Sequence, residues 1–107
     1  MNTGKNKCKK PEYILEQAVL SLKTVEEVQA LLEDLCTVSE LKSMAQRMHI
    51  AHLLDAEATY IDIADQTGSS TATISRVNRC LRYGAGGYRI VLDRIKQGGQ
   101  RDRKSVV

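Results

Sequence analysis

Arg76, Arg79 and Arg82 follow one another at intervals of three residues, directly behind a run of small side chains, Ser69, Ser70, Thr71, Ala72, Thr73 and Ser75. These residue types could do chemistry together, and that chemistry is non-covalent recognition of a polyanion. Guanidinium groups bind phosphate through charge and paired N–H donors. Short hydroxyl side chains let a backbone approach base edges, and Thr or Ala methyls can touch the methyl of thymine. Catalysis finds no comparable set. Cys36 and Cys80 have no base beside them that the sequence identifies, the acids of the middle region fit exposed helix faces, and no enzyme is expected. His49 and His52 lie three residues apart and could share a metal, but no carboxylate or Cys is expected at a further helical turn to complete a site and such pairs are ordinarily structural or exposed, so neither metal nor cofactor is expected.

Several elements must hold such a set in place. The 107 residues are 42% hydrophobic with four Tyr and no Phe or Trp, so the core must be built from Leu, Ile, Val, Met and Ala, which suit helix packing. No Gly or Pro stands between Pro11 and Gly68, which removes the turn residues that strands and hairpins need. Pro11 fits the first turn of a helix carrying Tyr13, Ile14, Ala18, Val19 and Leu22 at helical spacing. Thr24-Val25-Glu26-Glu27 and Thr37-Val38-Ser39-Glu40 both have the T-x-x-E capping form. The first opens a helix lined by Val25, Val28, Leu31, Leu32 and Leu35. The second opens a longer one through Leu41, Met44, Ala45, Met48, Leu53 and Leu54 to about Ala56.

Between Thr59 and Leu81 the spacing predicts a helix-turn-helix. Ala64 is the small residue where two helices touch, Gly68 permits the left-handed turn, and Ile61, Ile63, Ile74, Val77 and Leu81 supply the inner faces. Ser69 or Ser70 caps the second helix. Its outward positions, Ser70, Thr71, Ala72, Ser75, Arg76 and Arg79, suit entry into a major groove N-terminus first, with Thr59 and Ser69 near the same end and Arg82 further along. Gly84-Ala85-Gly86-Gly87 ends this helix and turns the chain into a last one, Tyr88 to Lys96; no strand precedes it and no Lys-Ser/Thr follows, as a phosphate loop would require.

Charge divides along the chain in the same sense. The net charge is +3, yet residues 1–10 hold four Lys and no acid, residues 11–70 are strongly acidic, and residues from 71 onward carry nine Lys and Arg against Asp93 and Asp102. A positive field gathered at one end of a chain is the footprint of a polyanion-binding face. The expected organisation is a basic flexible tail over residues 1–10, one helical domain over 11–97, and a second basic flexible tail over 98–107. No run approaches the roughly 20 apolar residues of a membrane span. The Lys-rich start leads into Pro11 and Glu12 rather than into a secretory core, so a soluble cytoplasmic protein is expected. Cys8, Cys36 and Cys80 are too far apart for a zinc site or a disulfide framework and are expected as reduced thiols, with Cys36 and Cys80 buried.

From about Thr37 to Ile95 the chain resembles the Trp repressor family, and within it the YerC/YecD-like branch. The likeness rests on the capped T-x-x-E helix, the Leu53-Leu54 pair, and Gly68 followed by Ala72-Thr73-Ile74-Ser75-Arg76 with a further helix beyond. It implies an all-α fold of about six helices in an intertwined homodimer, with two recognition helices about 34 to 36 Å apart in successive major grooves of a two-fold symmetric operator. It also implies an effector pocket. In the repressor, the corepressor lies between an Arg of the long helix and an Arg and a Thr of the recognition helix; Arg76 and Thr73 match the latter two, and Arg47 or Gln46 stands at the first place. The residue after Arg76 is Gly in the repressor, giving the indole room, whereas here it is Val77, and Cys80 replaces a pocket hydroxyl. A branched side chain in the indole space makes tryptophan a poor ligand. The expectation is a bacterial DNA-binding regulator, a repressor binding double-stranded DNA as a dimer. The alternatives are an architectural binder without sequence preference and a protein-interaction module using the Arg-rich face.

Overall fold

The computed structural model describes residues 10–106, with side chains as far as Lys96. Six helices follow in order: α1 (Pro11–Ser21), α2 (Val25–Leu35), α3 (Val38–Asp55), α4 (Tyr60–Thr67), α5 (Thr71–Tyr83) and α6 (Gly87–Val106). No strand occurs among the described residues, so the all-α expectation holds. Of the N-terminal tail only Lys10 is described; Cys8 and the other tail residues lie outside the described residues. The chain packs as two units, Met1–Leu41 and Lys42–Val107.

The first unit is shaped by its helix starts. Pro11 occupies the first turn of α1, where its missing N–H is no loss. At α2 the Thr24 hydroxyl accepts from the Glu27 N–H at 3.1 Å, while Glu27 Oε1 accepts from the Lys23 N–H at 2.8 Å, one residue earlier than a simple capping box would place it. At α3 the box closes on itself: Glu40 N–H to Thr37 Oγ1 at 3.0 Å, and Thr37 N–H to Glu40 Oε1 at 2.8 Å. The helices of this unit bury little. Tyr13, Ala18, Leu22, Leu31 and Leu32 are half-buried, whereas Val19, Val25, Val28 and Leu35, expected on inner faces, stay exposed, as do Ile14 and Leu20. Two short helices carry more apolar surface than they cover for each other.

The second unit has a compact core of Ile50, Ala51 and Leu54 from α3, Ile63 from α4, Ile74 and Val77 from α5, and Leu92 from α6. Ile50, Ile63 and Ile74 are fully buried, and each such side chain contributes roughly 1.5–3 kcal/mol through burial. Ile61 departs from expectation and is 75% exposed. Two residues on a helix turn about 200°, so when Ile63 faces the core Ile61 faces away.

Two junctions orient α4 and α6. Beyond α3 the Ala58 N–H bonds the Leu53 carbonyl and the Glu57 N–H the Leu54 carbonyl, a Schellman closure that leaves Glu57 at φ 66°. Asp55, on the last turn of α3, accepts from Arg89 Nη1 at 2.9 Å and lies 3.6 Å from Lys96 Nζ, so two cations of α6 converge on it. The hydrogen bond from Arg89, aided by the charges of Arg89 and Lys96, holds the Asp55 carboxyl below its ordinary pKa even though partial burial works against it. Asp55 also stands one turn beyond His52; both histidines are exposed, and no metal-holding group of His, Cys, Asp or Glu occurs among the described residues. The backbone of α6 is helical to Val106, past Gly98 and Gly99, where the sequence places its end. A glycine costs a helix interior roughly 1 kcal/mol relative to Ala, and the neighbouring Gln and Arg residues are good helix formers.

Candidate nucleic-acid interface

The interface is built around the turn between α4 and α5. Thr59 caps α4 by accepting from the Asp62 N–H at 3.1 Å. Gly68 ends α4 in the left-handed conformation, φ 72° and ψ 12°, with its N–H on the Ala64 carbonyl at 2.8 Å. Of the two candidate serines, Ser70 is the cap of α5: its hydroxyl accepts from the Thr73 N–H at 3.2 Å and meets the Thr73 hydroxyl at 3.1 Å. Ser69 turns inward, with a buried Oγ that has no partner, so its hydroxyl is not on the outer surface with the other small residues.

Ile74 and Val77 fix the inner side of α5, which leaves Ser70, Thr71, Ala72, Ser75, Arg76 and Arg79 exposed. The ion pairs among the described residues all involve Asp55 or Asp93 with Arg89 or Lys96, so neither Arg76 nor Arg79 has a carboxylate partner there. Their charge is available to an outside anion. Arg82 is placed differently. Each step of three residues falls about 60° short of a full turn, putting Arg82 about 120° around from Arg76. Its Nε donates to Asn78 Oδ1 at 3.0 Å, and it lines a cleft of about 530 Å³ with Leu54, Asp55, Glu57, Leu81, Tyr83 and Arg89. The three arginines of the sequence pattern are thus two on one face and one beside the acidic end of α3.

The residues expected to form an effector pocket are less closely assembled. Arg47 and Arg76 are exposed and Thr73 is half-buried, its hydroxyl engaged with Ser70. Val77 is 2% exposed and packed in the core. Gln46, the other candidate of the long helix, instead donates its amide to the Thr67 carbonyl at 2.9 Å. Cys80 is exposed and Cys36 half-buried, so the expectation of two buried thiols is corrected. Ile74, Val77 and Leu81 take the core side of α5, and Cys80 lies about a quarter turn away. The helix ends at Gly84, φ −83° and ψ −154°, where an added Cβ would collide with the Cys80 carbonyl. Sequence reasoning missed Asn78 and Glu57; neither residue type marks such a role without its spatial neighbours.

Comparisons with known proteins bear on the family and the fold. The family model described as Trp repressor protein matches residues 13–96. YerC of Bacillus subtilis (strain 168) is 49% identical over 83 residues, which cover 78% of this chain and 80% of YerC. The crystal structure of a TrpR-like protein from Eubacterium eligens ATCC 27750 superimposes with a TM-score of 0.76 at 49% identity, covering 85% of this chain and 95% of that one. Among the described residues no helix is long and apolar enough to cross a membrane.

Proposed function

Because this chain belongs to the Trp repressor family, we propose that it is a sequence-specific, DNA-binding transcriptional regulator, a repressor that occludes promoter DNA in the cytoplasm without catalytic activity. The observation that carries this reading is the outer face of α5, where Ser70, Thr71, Ala72 and Ser75 stand exposed beside Arg76 and Arg79. Small side chains near the N-terminus of α5 read base edges directly or through water, and the two arginines bind phosphates or, for one of them, a guanine. Thr59 lies at the start of α4, where its capped helix end faces the phosphate backbone. Ser69 contributes through its place in the turn rather than through its hydroxyl.

The working form is a homodimer. Ile14, Val19, Leu20, Val25 and Leu35 of the first unit are exposed in the single chain, and a second copy supplies the apolar surface that completes one helical domain over residues 11–97. Sedimentation giving a stable monomer would count against this assembly. Tryptophan is a poor fit as corepressor, since the residue after Arg76 is the branched Val77 where the repressor has Gly.

Selection of bound sequences from a random duplex pool at about 150 mM salt, the physiological range, tests the proposal, with Arg76→Ala and Arg79→Ala alongside. An enriched two-fold symmetric site, weakened or lost in the variants, is the expected result. Binding without enrichment would replace it with an architectural role. No retention of DNA even at low salt would turn the Arg face toward an acidic protein partner.

A further inference from the structure

We infer that Gln46 is a positioning residue for DNA recognition: from the long helix α3 its side chain sets the direction in which the turn delivers α5. The inference rests on the DNA-reading role proposed above and names how that face is aimed. Gln46 Nε2 donates to the Thr67 carbonyl at 2.9 Å in a half-buried contact that spans 21 residues of chain. Thr67 is the last residue of α4, so its carbonyl is one of those a helix end leaves without an intrahelical donor. The Thr67 hydroxyl donates to the Ile63 carbonyl at 2.8 Å and accepts from the Ser69 N–H at 3.2 Å. One chain of hydrogen bonds therefore joins α3, the end of α4 and the first residue past Gly68, and it stops one residue short of the Ser70 cap.

Packing of Ile63, Ile74 and Val77 against Ile50 holds the two helices together, but apolar contact has no preferred direction. A hydrogen bond does, because it weakens steeply as its angle opens. The Gln46 bond thus adds an angular restraint on the end of α4, and through the turn on α5, to what core packing sets. Phosphate contacts through Arg76 and Arg79 tolerate a change of tilt, whereas base-edge contacts from Ser70, Thr71, Ala72 and Ser75 do not. Loss of the Gln46 donor should therefore reduce discrimination between sequences more than it reduces attraction to DNA.

The test compares affinity for the selected site with affinity for a random duplex, at a temperature where every variant is folded. Gln46→Met keeps the length and lacks the donor; the preference is expected to fall roughly three- to tenfold, the worth of one hydrogen bond, with random-duplex affinity unchanged. Gln46→Lys returns a donor to the Thr67 carbonyl, at a helix C-terminus that favours a cation, and should recover the preference. If the bond merely stabilised the fold, its loss would lower the melting temperature and leave the preference alone. A Gln46→Met protein that melts lower yet discriminates like the wild type therefore overturns the inference. If Gln46→Met does not fold, Gln46→Asn, one methylene short of Thr67, decides by the same two outcomes. Wild-type protein with no preference for any duplex overturns the DNA-reading proposal itself, a failure visible before any substitution is made.

Discussion

A guanidinium bound to a phosphate and one bound to a base edge are lost in different ways, and this separates the three arginines. Arg76→Ala and Arg79→Ala should each lower the slope of log affinity against log salt by about 1 if the side chain sits on a phosphate. An arginine on a guanine should instead cost about 1–3 kcal/mol at a single base pair. Arg82→Ala should do neither to a comparable extent, because Asn78 holds Arg82 in the cleft beside Asp55 and Glu57. Affinity titrations over a range of salt measure this, and an Arg82→Ala slope change as large as that of Arg79→Ala would refute the assignment. At this scale the sequence made the residue types legible and their directions only partly so. Arg76 and Arg79 follow from helical spacing relative to Ile74 and Val77. Arg82 does not, since its direction depends on the end of α3, which meets it only in space.

Elements were legible where a residue type has one dominant local use. Thr24 and Thr37 accept hydrogen bonds as caps, Pro11 opens α1, and Gly68 takes the left-handed turn. The end of α3 was placed to within a residue, at about Ala56 against the observed Asp55, but its left-handed closure was not legible, because Glu57 adopts φ 66° without being Gly or Asn. A left-handed Glu costs about 1–2 kcal/mol, and glycine there gives back about 0.5–1 kcal/mol in backbone entropy. Glu57→Gly should thus stabilise the protein by roughly 0.5–1 kcal/mol, read as a higher urea midpoint at unchanged slope. Gly84 works in the opposite sense. An added Cβ would meet the Cys80 carbonyl, and Gly84→Ala should destabilise by about 1–3 kcal/mol as the backbone shifts to relieve the overlap. A Gly84→Ala protein as stable as the wild type would mean that the α5–α6 turn has another low-energy path.

For the molecule as a whole, acid should reveal the tie between α3 and α6. Asp55 binds a proton less readily in the folded protein than in the unfolded chain, so its contribution is complete above the unfolded pKa, roughly 3.9. That contribution is lost as the pH falls through the lower folded value. Asp55→Asn should therefore be less stable at neutral pH and lose less on acidification; parallel acid unfolding curves for the two proteins would sink the idea. The unequal burial of the two units was partly legible, since the apolar faces of the first two helices exceed what one small core needs. Helical periodicity marks the apolar faces of α1 and α2, but it does not say whether the cover comes from the same chain. Val77 carries a further consequence. Packed at 2% exposure among Ile50, Ile74 and Leu92, it is a plug that can be drawn. Val77→Gly would leave a dry hole of about three carbon atoms, and apolar holes of this kind accept small guests such as xenon. A protein so emptied should regain stability in proportion to the logarithm of guest concentration, which would give this regulator an artificial chemical dial where its own side chain now sits.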